Sequence, residues 1–187
     1  MHEVTFERYE GQEACAQLDV FLPAYEEVYV EPPYCEGPCD VAEFVNRYRL
    51  QAKRPGMRLV LARDGDGVIG FTFGYFLPAD TRWWSNLQEP LPADFTREDG
   101  TRTYVIIELA VRKEWRRRGV AASLHAALVE GPDAERVTLT MRPEPTAAPA
   151  QAAYAAWGYR KVGVSRPWAE EPVYDVMVLQ LPTAGQP

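Results

Sequence analysis

Arg116-Arg117-Arg118-Gly119-Val120-Ala121, followed by the helix-forming stretch Ala122 to Glu130, is the segment whose residue types and spacing best suit chemistry. The first N–H groups of a helix have no intrahelical acceptor, and the aligned peptide dipoles leave partial positive charge there, so an anion binds readily. Gly119 allows a positive φ, or a ligand's close approach, with no Cβ in the way. The three arginines add donors that match phosphate oxygens. A cradle for phosphate is one reading. A solvated cationic edge with no ligand is the other, and spacing alone leaves both open.

The run Glu108-Leu109-Ala110-Val111 precedes the turn and reads as a strand, so the order is strand, basic turn, helix. Downstream, Ala150, Ala153, Tyr154 and Trp157 fall at i, i+3, i+4 and i+7, one face of a helix that Gly158 ends. Spacing of that kind makes Tyr154 a packing residue, although a tyrosine can bury its ring and present its hydroxyl to a cleft.

Together these residues resemble the GNAT superfamily of acyl-CoA-dependent N-acetyltransferases. Arg116, Gly119 and Ala121 match the Arg/Gln-x-x-Gly-x-Gly/Ala turn of that family, and Ala150 to Tyr159 match its Ala-x-x-x-Tyr-x-x-x-Gly-Phe/Tyr motif. The resemblance implies that Arg116, Arg117, Arg118, Gly119, Val120 and Ala121 wrap the coenzyme A pyrophosphate. It also implies that Leu109, Ala110 and Val111 pair with the pantetheine arm, and that Tyr154 protonates the departing thiolate. One position departs from the pattern. Ala147 stands where the family often has Asn, so this side chain does not supply the hydrogen bond that the family usually makes there to the cofactor arm.

An aliphatic amine is mostly protonated near neutral pH and must lose a proton before it attacks a thioester. Glu108 is the candidate base, because acidic residues on this strand serve so in part of the family. A structural glutamate paired with an arginine is the plainer alternative. Backbone N–H groups near Leu109 would polarise the thioester carbonyl. No cysteine lies in either motif, so no covalent acyl-enzyme is required. The expected cosubstrate is acetyl-CoA and the expected partner an amine acceptor, with no metal; a homodimer is left open. An acyl-CoA sensor without turnover is the competing class. A nucleotide at the turn fits poorly, since the chain has neither Gly-x-x-x-x-Gly-Lys-Ser/Thr nor Gly-x-Gly-x-x-Gly.

Composition sets outer bounds. A chain of 187 residues, 47% apolar, matches one domain that buries roughly 70% of its unfolded surface. The net charge of −7 argues against a nucleic-acid partner and makes the basic turn stand out. Neither a long apolar run nor a signal-peptide pattern occurs, so a soluble cytoplasmic protein with no membrane association is the default expectation. Cys15, Cys35 and Cys39 form no metal pattern, and free thiols are the expectation.

The elements that must position these residues read as follows. Val4 to Tyr9 is a strand, Gln12 to Tyr29 a helix, and Asp40 caps a second helix running to about Ala52. Arg58 to Arg63 and Val68 to Leu77 flank Asp64-Gly65-Asp66-Gly67 as a hairpin. Thr103 to Val111 is a strand and Gly119 to Val129 a helix, in which His125 sits one position off the Val120, Leu124, Leu128 stripe. Val137, Leu139 and Met141 alternate inward as a fifth strand, and the helix of Tyr154 follows. Arg160 to Arg166 and Val173 to Leu181 close the chain. The fold class expected is mixed α/β: a mostly antiparallel twisted sheet of about seven strands flanked by about four helices. It forms a single GNAT domain over residues 1–182, with 183–187 a loose tail. Within the long polar segment from Pro78 to Arg102, Trp83 and Trp84 either line the acceptor pocket or anchor the loop.

Overall fold

Among the described residues, 3–166 and 172–182, the computed structural model contains seven strands and six α-helices. The strands are β1 (Thr5–Glu10), β2 (Arg58–Asp64), β3 (Gly67–Phe76), β4 (Thr103–Val111), β5 (Arg136–Met141), β6 (Arg160–Ser165) and β7 (Tyr174–Gln180). The helices are α1 (Gly11–Ala16), α2 (Leu18–Tyr29), α3 (Pro38–Gln51), α4 (Ala93–Thr96), α5 (Val120–Val129) and α6 (Ala148–Ala156). The strand order is β1-β2-β3-β4-β5-β7-β6. β1–β2, β2–β3, β5–β7 and β6–β7 run antiparallel, while β4 and β5 are parallel from Thr103 to Val105. This is the mixed, mostly antiparallel architecture expected. The expected tail at 183–187 lies outside the described residues. Among the described residues no helix is long and apolar enough to cross a membrane.

The chain falls into two compact units, Met1–Tyr75 with Ile106–Pro132, and Phe76–Val105 with Asp133–Pro187. In the first, Phe21 and Tyr25 of α2 meet Phe44 and Tyr48 of α3, and Phe71 and Phe73 of β3 complete the cluster. Leu59, Val60, Leu61 and Ala62 of β2 are all fully buried, so both faces of this strand are covered and its apolar run is continuous rather than alternating. Arg8 and Arg58 satisfy the last carbonyls of α5: Arg8 donates to Ala127 at 2.7 Å, and Arg58 to Glu130 at 2.7 Å. Cations at that end also complement the helix dipole, whose positive end is at Gly119.

Local differences from the sequence pattern have local causes. The apolar spacing of Gln12 to Tyr29 is continuous, yet the helix breaks at Gln17, whose N–H donates three residues back to Ala14 at 3.2 Å. Asp40 does not cap α3. Pro38 takes the first helical position, where its missing N–H costs nothing, and Asp40 reaches back to accept the Gly37 N–H at 2.8 Å. In the hairpin only Gly65 has positive φ, +55°, which fits a turn of the II′ kind with glycine at its first central position.

In the second unit Arg136 through Leu139 of β5 are all buried, and only Thr140 is exposed. The expected inward alternation is absent because both faces of the strand are covered. Thr138 meets its burial by donating to Met177 O at 3.0 Å. The segment from Pro78 to Arg102 is not structureless: it holds a 3-10 turn at Trp84–Asn86 and the single turn of α4.

Candidate active site

The basic turn folds as its residue types require. Gly119 precedes α5 with φ +82°, a conformation costly for residues with a Cβ, and a Cβ built there meets nothing within 4 Å. Backbone conformation, not crowding, is what calls for glycine. Among the described residues no side chain caps α5, and its first closing bond runs from Ser123 N–H to Gly119 O at 3.0 Å. The N–H groups ahead of Ser123 are therefore unclaimed within the helix. Arg117 and Arg118 are exposed, with the Arg118 guanidinium 5.1 Å from the centre of the Trp115 ring. Arg117 itself has φ +60°.

Arg116 is engaged differently. Its Nε donates to Val111 O at 3.0 Å and its Nη2 pairs with Glu31 at 2.8 Å, so it staples the end of β4 to the segment after α2. Lys113 also approaches Glu31, at 3.7 Å. Ala110 and Val111 are buried, and Leu109 is half-buried. Gly70 on β3 makes this packing possible: a Cβ there would stand 2.8 Å from Ala110 O.

Glu108 lies on β4 three residues before Val111, in the same unit as the turn. Its side chain is 15% exposed. The Tyr29 hydroxyl donates to Oε2, and Arg47 stands 3.9 Å from Oε1. Burial pushes the carboxyl up to about 7 despite the Tyr29 hydrogen bond and the Arg47 charge, both of which act downward, while Glu36 acts upward. Such a carboxyl exchanges its proton near neutral pH.

Tyr154 belongs to the second unit and is held by the way α6 ends. Gly158, at φ +93°, donates to Ala155 O at 3.1 Å, and Tyr159 N–H donates to Tyr154 O at 3.0 Å. These two bonds are a Schellman ending with glycine in its left-handed place. The Tyr154 ring packs edge-on against Trp157 and Tyr159, with centroids 5.3 and 5.4 Å apart. No residue of α6 is fully buried; Tyr154 and Trp157 are half-buried.

Residues 21–159 match the model of the Acetyltransferase (GNAT) family. The chain belongs to that family. Its fold is that of solved GNAT structures. The ribosomal-protein-S18-alanine N-acetyltransferase from Escherichia coli is 15% identical, with TM-score 0.62 over 98% of this chain and 97% of that one. Arabidopsis thaliana NAA60, solved with acetyl-CoA, is 17% identical, with TM-score 0.61 over 96% and 99%. A PaiA N-acetyltransferase from Thermoplasma acidophilum, solved with coenzyme A, is 9% identical, with TM-score 0.60 over 96% and 99%. No curated protein matches the chain in sequence.

Within this GNAT chain, Glu108 and the residues from Leu109 to Ala121 come together in one unit, and Tyr154 stands in the other. Sequence reasoning missed Tyr29, Arg47 and Glu31. Each reaches its partner across the fold rather than along the chain, and the only prior signal was the helical spacing of Tyr25 and Tyr29. Trp84 proves to be an anchor: it is buried and its indole N–H donates to Glu98 at 2.8 Å. His125 is buried in α5, and burial pulls its imidazole down to about 4.

Proposed function

We propose that this protein transfers the acetyl group of acetyl-CoA directly to a primary amine, acting as one GNAT domain over residues 1–182. The observation that carries the proposal is the half-buried Glu108, its carboxyl poised near 7, on the strand that leads into the uncapped, glycine-opened N-terminus of α5. That turn fits a pyrophosphate by its own chemistry: N–H groups unclaimed within the helix, the positive end of a helix dipole, and exposed Arg117 and Arg118. Arg116 contributes by fixing the turn to Glu31 and Val111 rather than by a free guanidinium.

Acetyl-CoA supplies an activated thioester carbon. Glu108 takes a proton from the acceptor ammonium, and the freed amine forms the C–N bond as the C–S bond breaks. Leu109 to Val111 hold the pantetheine arm, with N–H groups near Leu109 polarising the carbonyl. Tyr154 gives a proton to the departing sulfur and regains one as the new amide nitrogen sheds its extra proton, a role that rests on its place in the Ala150 to Tyr159 motif. The test is thiol release from acetyl-CoA across a panel of polyamines, aminoglycosides, amino acids and peptides. Release with one class supports transfer. Tight acetyl-CoA binding with no release from any amine supports the sensor reading instead.

A further inference from the structure

Glu108 is held on several sides. Its backbone carbonyl accepts the Thr72 hydroxyl of β3 at 2.7 Å, which ties the strand at this residue. Its Oε2 accepts the Tyr29 hydroxyl of α2. Among the described residues, the group facing Oε1 is the half-exposed Arg47 of α3 at 3.9 Å, too long for a hydrogen bond. The two carboxyl oxygens are thus unequal.

Tyr29 is itself constrained. It is 7% exposed, stacks on Tyr25 with centroids 4.4 Å apart, and meets Tyr34 edge-on at 4.7 Å. Tyr25, one turn earlier on α2, donates in the same way to Glu36 at 2.6 Å. Asp40 acts in turn on Glu36. The charged and titratable groups around Glu108 are therefore Tyr25 and Tyr29 from α2, Glu36 from the segment before α3, and Arg47 from α3.

We infer that Tyr29 is the positioning residue of the base: its hydroxyl fixes Oε2 of Glu108 and leaves Oε1, on the Arg47 side, as the oxygen that takes the proton. The inference rests on Glu108 being the base. A hydroxyl that can only donate to a carboxylate stabilises the ionised form and holds the carboxyl plane at the same time. Arg47 supports the ionised form from the other side without occupying Oε1. A tyrosine that packed by its ring alone would hold the helix in place but leave the proton affinity of Glu108 unchanged.

The test is a carbon-13 titration of the glutamate side-chain carboxyls in wild type and Tyr29→Phe, with the Glu108 signal assigned by its loss in Glu108→Gln. Phenylalanine keeps the ring contacts with Tyr25 and Tyr34, so the variant is expected to fold. The Glu108 midpoint is expected to rise by about one pH unit in Tyr29→Phe. The acid limb of kcat/KM, measured with an amine found active by thiol release, is expected to move with it. An unchanged midpoint overturns the positioning role while leaving an inactive Glu108→Gln enzyme to support the base. Wild-type turnover in Glu108→Gln overturns the base assignment, and the positioning role falls with it.

Discussion

The Arg136 guanidinium donates to Glu98 Oε1 at 2.9 Å, with the two side chains 1% and 0% exposed. Thr103 donates to the same oxygen at 2.7 Å while accepting from Arg136 Nε at 2.8 Å, and the Trp84 indole adds a third donor at 2.8 Å. Arg136 also lies 4.4 Å from the Phe95 ring centre and 4.9 Å from that of Trp84. A pair this dry is held in place by its network, because each charge left alone would face an apolar interior.

Removing both members should therefore cost less than the two separate removals added together. Glu98→Ala is expected to destabilise by about 3–5 kcal/mol, and the double variant with Arg136→Met by less than the sum of the two single changes. Urea unfolding of the four proteins in the cycle measures this. Additive single effects would show that the charges act independently.

Glu108 makes two pH predictions of known sign. As a base it must be ionised, so turnover should rise through about pH 7 and the limb should vanish in Glu108→Gln. Its folded proton affinity is raised from the ordinary 4.5, so the native state binds the proton more tightly than the unfolded chain does. Stability conferred by this group is present below pH 4.5 and is lost as pH rises to about 7. Thermal unfolding of wild type and Glu108→Gln across that range should show the variant gaining on wild type as pH rises.

Gly119 sits at φ +82° with open space around it. Gly119→Ala is expected to fold with a loss of about 1 kcal/mol from backbone strain alone. Gly119→Glu adds a negative charge at the helix N-terminus and should abolish acetyl-CoA binding in calorimetry. Wild-type affinity in the glutamate variant would remove the turn from the site.

Tyr154→Phe removes a hydroxyl and keeps the ring that packs on Trp157 and Tyr159. Turnover should fall by about 10–1,000-fold with little change in acetyl-CoA affinity, the pattern of a group needed late in the reaction. Equal losses in turnover and binding would make Tyr154 a packing residue.

Elements whose ends depend on one or two residues were legible in the sequence. Gly158 takes the left-handed conformation that its place after a helix favours, Gly119 takes the positive φ that its missing Cβ allows, and the Asp64 to Gly67 hairpin turns where its glycine says. Less legible were the helix break at Gln17, the role of Asp40 and the buried faces of β5. In each, the deciding partner was a backbone geometry or a covering layer that side-chain periodicity does not record.

By itself the sequence determined the strand, turn and helix from Thr103 to Val129, the motif around Tyr154, and hence membership of the GNAT family. These are local signals, because helix ends and turns are set by residues within a few positions of one another. Only the tertiary structure decided that Glu108 is half-buried beside Tyr29 and Arg47, and that Arg116 is committed to Glu31. Tyr29 and Glu108 are 79 positions apart. Proton affinity and charge pairing depend on distance and solvent in space, and only packing sets those.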